Sequence, residues 1–252
     1  MEWHDNGFVL GTRRHGESAL IVELLTAEHG RHAGLVRGGQ SPRRRALLQP
    51  GNLVAAGWRG RLSEHLGTFE CELVAANAAG LLDDMERLMA LNAAVALLLA
   101  ALPEREPQAE LYASFAELMA ALDSPRNWPA AYVLWEAALL AQLGFGLDLG
   151  HCAVNGTNQD LAYVSPRTGR AVSREAGRPY HDKLLPLPAF LWRDAAAERD
   201  DIVAGLILTR HFLLHHLLQP QGGRFPEARE LLLDRMRRGG PLVSSATREG
   251  EG

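Results

Sequence analysis

The sequence predicts an α+β chain, with a small five-stranded β-barrel first and a mainly helical region after it. Three observations carry this. Five short apolar or alternating runs, separated by glycine-containing turns, fill residues 1–75. From Ala79 the apolar period changes to that of helices, and five such segments follow. Between two of them lies an aperiodic stretch at 148–187, rich in Gly, Asn, Pro and Arg, which calls for its own organiser.

The predicted strands are Phe8–Leu10, Ser18–Thr26, Arg31–Arg37, Asn52–Arg59 and Leu66–Val74. The last alternates most clearly: Phe69, Cys71 and Leu73 on one side, Thr68, Glu70 and Glu72 on the other. Glu28-His29-Gly30 reads as a tight turn. Closing five short strands into a barrel removes exposed sheet edges. Gly38–Arg45 reads as a mobile basic loop on that barrel.

Leu88, Leu91, Val95, Leu98 and Leu102 mark the first helix; Leu111, Phe115, Leu118 and Leu122 mark the second. Pro129 opens a third, which carries Val133, Trp135, Leu139, Leu140 and Leu143 and ends near Gly144. A fourth runs from Asp200 to Leu218 with Ile202, Leu206, Phe212 and Leu213 buried, and a fifth from Pro226 to Arg237. Inside 148–187 a small hairpin is expected, Leu161–Ser165 with Arg170–Ser173, turned at Pro166–Gly169. The expected division is a barrel at 1–78, a helical domain at 79–238 and a disordered tail from Gly239.

Composition narrows the function. Of 252 residues, 47% are hydrophobic and 22% charged, as in an ordinary globular protein. Two cysteines make no disulfide framework, so a reducing cytoplasm fits. The start, MEWHDNGF, has no secretory pattern. The most apolar stretch, Leu88–Leu102, is short for a membrane span and reads as a buried helix. Net charge is −4, yet from His29 to Arg61 there are seven arginines and no acidic residue. Such a local basic patch on an acidic protein suggests an anionic partner.

Arg37, Arg43, Arg44 and Arg45 therefore lead the candidates for contact with a phosphate backbone, with Arg13, Arg14, Arg31, Arg59 and Arg61 behind them. Aromatic platforms are scarce in the barrel. Trp58 suits either base stacking or the core, and Phe69 the core, which favours backbone-dominated, sequence-indifferent binding. Cys71 reads as a buried, inert strand residue, and Glu136 as one half of a buried ion pair with an arginine. No phosphate-binding loop or nucleophile elbow occurs, and no carboxylate pair has catalytic spacing, so no enzymatic turnover is expected. His211 and His215 share a helix face, but no glutamate follows His211, so the metalloprotease signature fails. With Arg210 they are expected to edge an apolar groove.

Ordered segments across residues 8–235 resemble the bacterial RecO family. In the N-terminal part these are Arg14-His-Gly-Glu-Ser18, Leu24–Arg31, Val36-Arg-Gly38, Leu47–Gly51 and Leu66-Gly-Thr68 with Glu72-Leu73. Further on come Trp135-Glu136, Leu139-Leu140, Leu143–Leu149 and Cys152-Ala-Val-Asn-Gly156. The resemblance implies that the barrel is an oligonucleotide/oligosaccharide-binding (OB) fold. It also implies a recombination mediator that binds single- and double-stranded DNA and anneals complementary strands. Such a protein works with RecR to load RecA onto DNA coated by single-stranded DNA-binding protein. The acidic, apolar-ended tail of that coating protein would sit in the helical domain, for which Arg210, His211 and His215 are the candidates.

Some members of that family carry a four-cysteine zinc site in the insert. Here Cys152 stands at its first position, Asn155 at the second, and Gly169–Arg174 has no cysteine. His151 and His181 lie near in sequence, but zinc needs four committed ligands. The expectation is a degenerate, metal-free insert and no cofactor. Two rival readings stand beside the mediator: an RNA-binding OB adaptor, since backbone contacts read both polymers, and a metal-dependent hydrolase built on His211 and His215.

Overall fold

The computed structural model describes residues 1–239. The tail expected from Gly239 therefore lies almost wholly outside the described residues. The barrel strands are β1 (Glu2–His15), β2 (Ala19–Thr26), β3 (Gly30–Val36), β4 (Leu53–Arg59) and β5 (Thr68–Ala75). They close in the order β1-β2-β3-β5-β4. β1 is far longer than the Phe8–Leu10 run suggests, because its outer ends are polar. Residues 2–8 pair with β4, residues 7–15 with β2, and a bulge near Gly11 lets one strand serve both neighbours. The interior holds Val9, Val22, Leu24, Val36, Val54, Trp58 and Phe69, and Leu48 plugs it from below.

The weak joint is β3 against β5, a parallel pairing at Leu35 and Thr68. The segment after the first long helix covers it. Glu104 bridges to Arg31, and Arg105 donates from its backbone N–H to the Arg31 carbonyl at 2.7 Å. The Arg105 guanidinium donates to the His65 carbonyl at 3.1 Å.

The helical part comprises α2 (Met85–Ala101), α3 (Ala109–Asp123), α4 (Trp128–Gln142), α6 (Arg199–Phe212) and α7 (Glu227–Arg238); α1 (Pro42–Leu47), between β3 and β4, and α5 (Arg174–Gly177), in the insert, are short. Asp84 caps α2 by accepting from the Glu86 and Arg87 amides. Pro129 sits in the first turn of α4, and Gly144, at φ +88°, follows its end. The expected single helix to Leu218 instead changes at Leu213 into a π-turn. That wider turn buries Leu213, Leu217 and Leu218 together before Pro220 stops the run. Arg199–Leu218 is the one described helical run long and apolar enough to cross a membrane; here it packs against α4 and α7.

The insert is organised as expected, with β6 (Leu161–Val164) and β7 (Ala171–Ser173) paired, and a third short strand, β8 (Leu185–Pro186), added. α5 (Arg174–Gly177) follows β7, and the Ser173 hydroxyl caps it.

Phe8, Leu10 and Leu25 point outward from the barrel into the helical core, where Phe8 meets Tyr112 and Phe115. One hydrophobic core therefore joins barrel, helices and insert.

Candidate nucleic-acid interface

The first cluster of cations gathers at the β1–β2 turn. Register sets Arg14 opposite Leu20, which pairs with Val36, so Arg13, Arg14 and Arg37 lie on neighbouring strand ends. Gln40 ties the turn to the stretch after β3, donating from its side chain to the Gly16 and Ala19 carbonyls, both at 3.1 Å. The chain then forms α1 (Pro42–Leu47). Arg43, Arg44 and Arg45 thus stand on a helix, not on the mobile loop the sequence suggests. Pro42 presets the first turn, and Leu48, buried in the barrel, anchors the last. Arg13, Arg14, Arg37, Arg43, Arg44 and Arg45 are all exposed. Among the described residues none has a carboxylate within 4.0 Å.

Arg59 ends β4, and Arg61 stands in the β4–β5 loop. Arg59 is exposed and paired with Glu2 at 2.9 Å, while Arg61 is exposed and unpaired among the described residues. OB-folds generally bind nucleic acid through these two loops and the β2–β3 face. Arg31 differs from the other eight. Its guanidinium is half-buried between barrel and helices, donates to the Leu99 carbonyl at 2.9 Å, and faces Glu23 and Glu104. It is a staple between barrel and helices, with its charge already met. Trp58 is core, with its indole N–H donating to the Leu66 carbonyl, and Phe69 is buried as expected.

Sequence reasoning missed a groove. It lies where β5 leaves the barrel for α2, encloses about 1100 Å³, and is lined by Leu47, Leu73, Leu82, Leu88 and Leu91 with Arg43 and Arg44 on one wall. Leu73 departs from the expected alternation: a bulge at the end of β5 leaves Leu73 exposed, where it lines the groove with the exposed Leu82. A run of apolar residues spanning a strand end and a helix start was the available signal. Cys71 lines the same groove, and burial pushes its thiol up to about 12 against the pull of Arg44.

The site expected around Arg210 looks different. Glu230 chelates the Arg210 guanidinium, and Phe225 lies 5.1 Å from it. His211 donates from Nε2 to the Pro166 carbonyl at 3.1 Å, and His215 Nδ1 meets the Gln219 side-chain oxygen at 2.8 Å. The rings stand 4.5 Å apart, and burial lowers the pKa of His211. The hollow here is small, about 250 Å³; Leu185, Ile207 and Leu233 line it with Arg210, His211 and Arg237, and Glu230 meets the Arg210 charge.

In the insert, Cys152 is buried, and its Sγ accepts the Ser173 amide at 3.2 Å and the Val154 amide at 3.5 Å. Burial would raise its pKa, but these N–H groups outweigh it and hold the thiol down at about 7. No three His, Cys, Asp or Glu side chains group as a metal site among the described residues. Glu136 has the partner expected of it: Arg229, fully buried, chelates it while also donating to the Leu206 carbonyl at 2.8 Å.

With this geometry in place, the comparisons with known proteins follow. Residues 1–77 match the family model described as Recombination protein O N terminal, and residues 82–224 the one described as Recombination protein O C terminal. The chain is 53% identical over 245 residues to the DNA repair protein RecO of Rhodospirillum rubrum, across 94% of this chain and 97% of that protein. It is 50% identical over 243 residues to that of Phenylobacterium zucineum, across 96% and 100%. Against that of Chelativorans sp. it is 49% identical over 248 residues, across 98% and 100%.

Proposed function

The chain belongs to the RecO family of DNA repair and recombination proteins, and on that premise we propose that it is a cytoplasmic recombination mediator without enzymatic turnover. It binds single- and double-stranded DNA, anneals complementary strands and, with RecR, helps load RecA onto DNA coated by single-stranded DNA-binding protein. The observation that carries this reading is the set of exposed arginines on the β1–β2 turn and α1, which lack carboxylate partners among the described residues. Fixed cations on one end of an OB barrel suit a phosphate backbone and read no sequence. Arg13, Arg14, Arg37, Arg43, Arg44 and Arg45 form the principal DNA face, Arg59 and Arg61 extend it, and Arg31 serves the interior.

For the acidic, apolar-ended tail of the coating protein, Arg210, His211 and His215 are the candidates the sequence names, and the larger groove beside α1, lined by Leu73, Leu82 and Leu88, is a second. Zinc is left out of this reading because Cys152 is the one cysteine in the insert and Asn155 stands at the second position, so the four ligands that zinc needs are not supplied.

The test is strand annealing without ATP, using complementary oligonucleotides coated with the cognate single-stranded DNA-binding protein. Acceleration by the chain is the expected result. DNA binding without acceleration would remove the mediator and leave a bare nucleic-acid binder. RNA outcompeting DNA of equal length would move the RNA adaptor to the front.

A further inference from the structure

A layer of aromatic rings fills one end of the barrel and reaches the surface at the β2–β3 turn. Trp3, Trp58 and Phe69 stand opposite one another across β1, β4 and β5, so they share the inner face. Trp58 and Phe69 are buried and Trp3 is half-buried. Trp3 lies 6.0 Å from Trp58 with the planes at 17°, and His29 stacks on Trp3 at 4.0 Å and 8°. Three nearly parallel rings thus lead from the core outward. His32 meets Trp3, Trp58 and Phe69 edge-on and braces the stack.

Among the described residues His29 Nδ1 has no hydrogen-bond partner; it is 3.5 Å from the Asp5 carboxylate, and the side chain is 27% exposed. The Trp3 face and the Asp5 carboxylate together hold the ring flat. The β4–β5 loop lies directly against this stack. A Cβ on Gly60 would come within 2.5 Å of the Trp58 ring, and one on Gly67 within 2.4 Å, so the loop backbone is pressed onto it. The same loop presents Arg61, exposed and without a carboxylate partner among the described residues.

We propose that Trp3 and His29 form a stacking site for one unpaired nucleobase, seated on the outer face of the His29 ring, with Arg61 on a neighbouring phosphate. The proposal rests on the DNA-binding reading above and adds to it a reason to prefer single strands. Every base has a π-face for such a platform. A base within a duplex already has both faces covered by its neighbours and cannot use the site.

The experiment compares binding of the full chain to a thymidine oligonucleotide and to an abasic strand of equal length, hence equal charge. The wild-type chain should favour the base-bearing strand by about fivefold or more, the low end for one stacked base. His29→Ala should erase most of that preference and leave abasic binding unchanged, and His29→Phe, which keeps a flat ring, should retain it. An unchanged preference in His29→Ala, or equal weakening on both strands, would overturn the site. A wild-type chain that binds both strands equally removes the stacking site and leaves DNA binding standing. One that binds neither removes both readings.

Discussion

At Arg43, Arg44 and Arg45 the question is whether three like charges on one short helix meet phosphate or only water. Each phosphate neutralised releases counterions, so each contact steepens the salt dependence by about 0.9 in log–log slope. Replacing all three by Ala should weaken DNA binding alike for all sequences and lower that slope by about 2 to 3. An unchanged slope would place the DNA elsewhere. Cys152 allows a second test at this scale. Its folded pKa of about 7 lies below the ordinary thiol value of 9.0, so the folded state releases the proton first. The stabilisation this brings is complete above pH 9 and fades as pH falls toward 7. Wild type should therefore gain stability over Cys152→Ala between pH 7 and 9 in urea melts, and parallel curves would refute it. Both features began as residue types in the sequence. The charge of Arg43 was legible there, whereas the amides that surround the Cys152 sulfur come from Ser173 and Val154 and follow from the fold of the insert.

Among elements, strand periodicity located four barrel strands closely, because alternation of apolar side chains survives wherever one face meets a core. It failed at the outer half of β1, where Trp3 alternates with Glu2, His4 and Asn6 and the apolar signal is too thin. It also missed α1, whose six residues bury no side chain and so carry no period. The strap across the β3–β5 joint was invisible for another reason: it pairs residues more than 70 positions apart. Its fit depends on Gly30, at φ +61°, where a Cβ would come within 1.9 Å of the Glu106 carbonyl oxygen. Gly30→Ala should cost roughly 3 kcal/mol, from left-handed strain together with overpacking. A melting temperature within a degree or so of wild type would show that the strap yields easily.

Over the whole molecule, barrel and helices are joined by Phe8, Leu10, Leu25 and the Arg31 staple. Thermal and urea unfolding should therefore show one transition, coincident by fluorescence and far-UV dichroism. Two separated transitions would mean that this junction is weak. The helical side is tied by Arg229, whose loss would strand Glu136 in the core. Arg229→Met should destabilise by about 3–5 kcal/mol, and adding Glu136→Leu should recover much of it, because a buried pair costs more to break than to replace. A double variant as unstable as the single one would contradict this. The sequence by itself determined the α+β class, the order of strands and helices, the hairpin in the insert, the basic stretch and the family, since each depends on neighbours along the chain or on residue identity. Only the tertiary structure decided which arginines are free and which are staples, where the large groove opens, and that Trp3 and His29 stack. Those depend on which distant side chain arrives beside each residue, and burial and charge pairing are properties of that meeting.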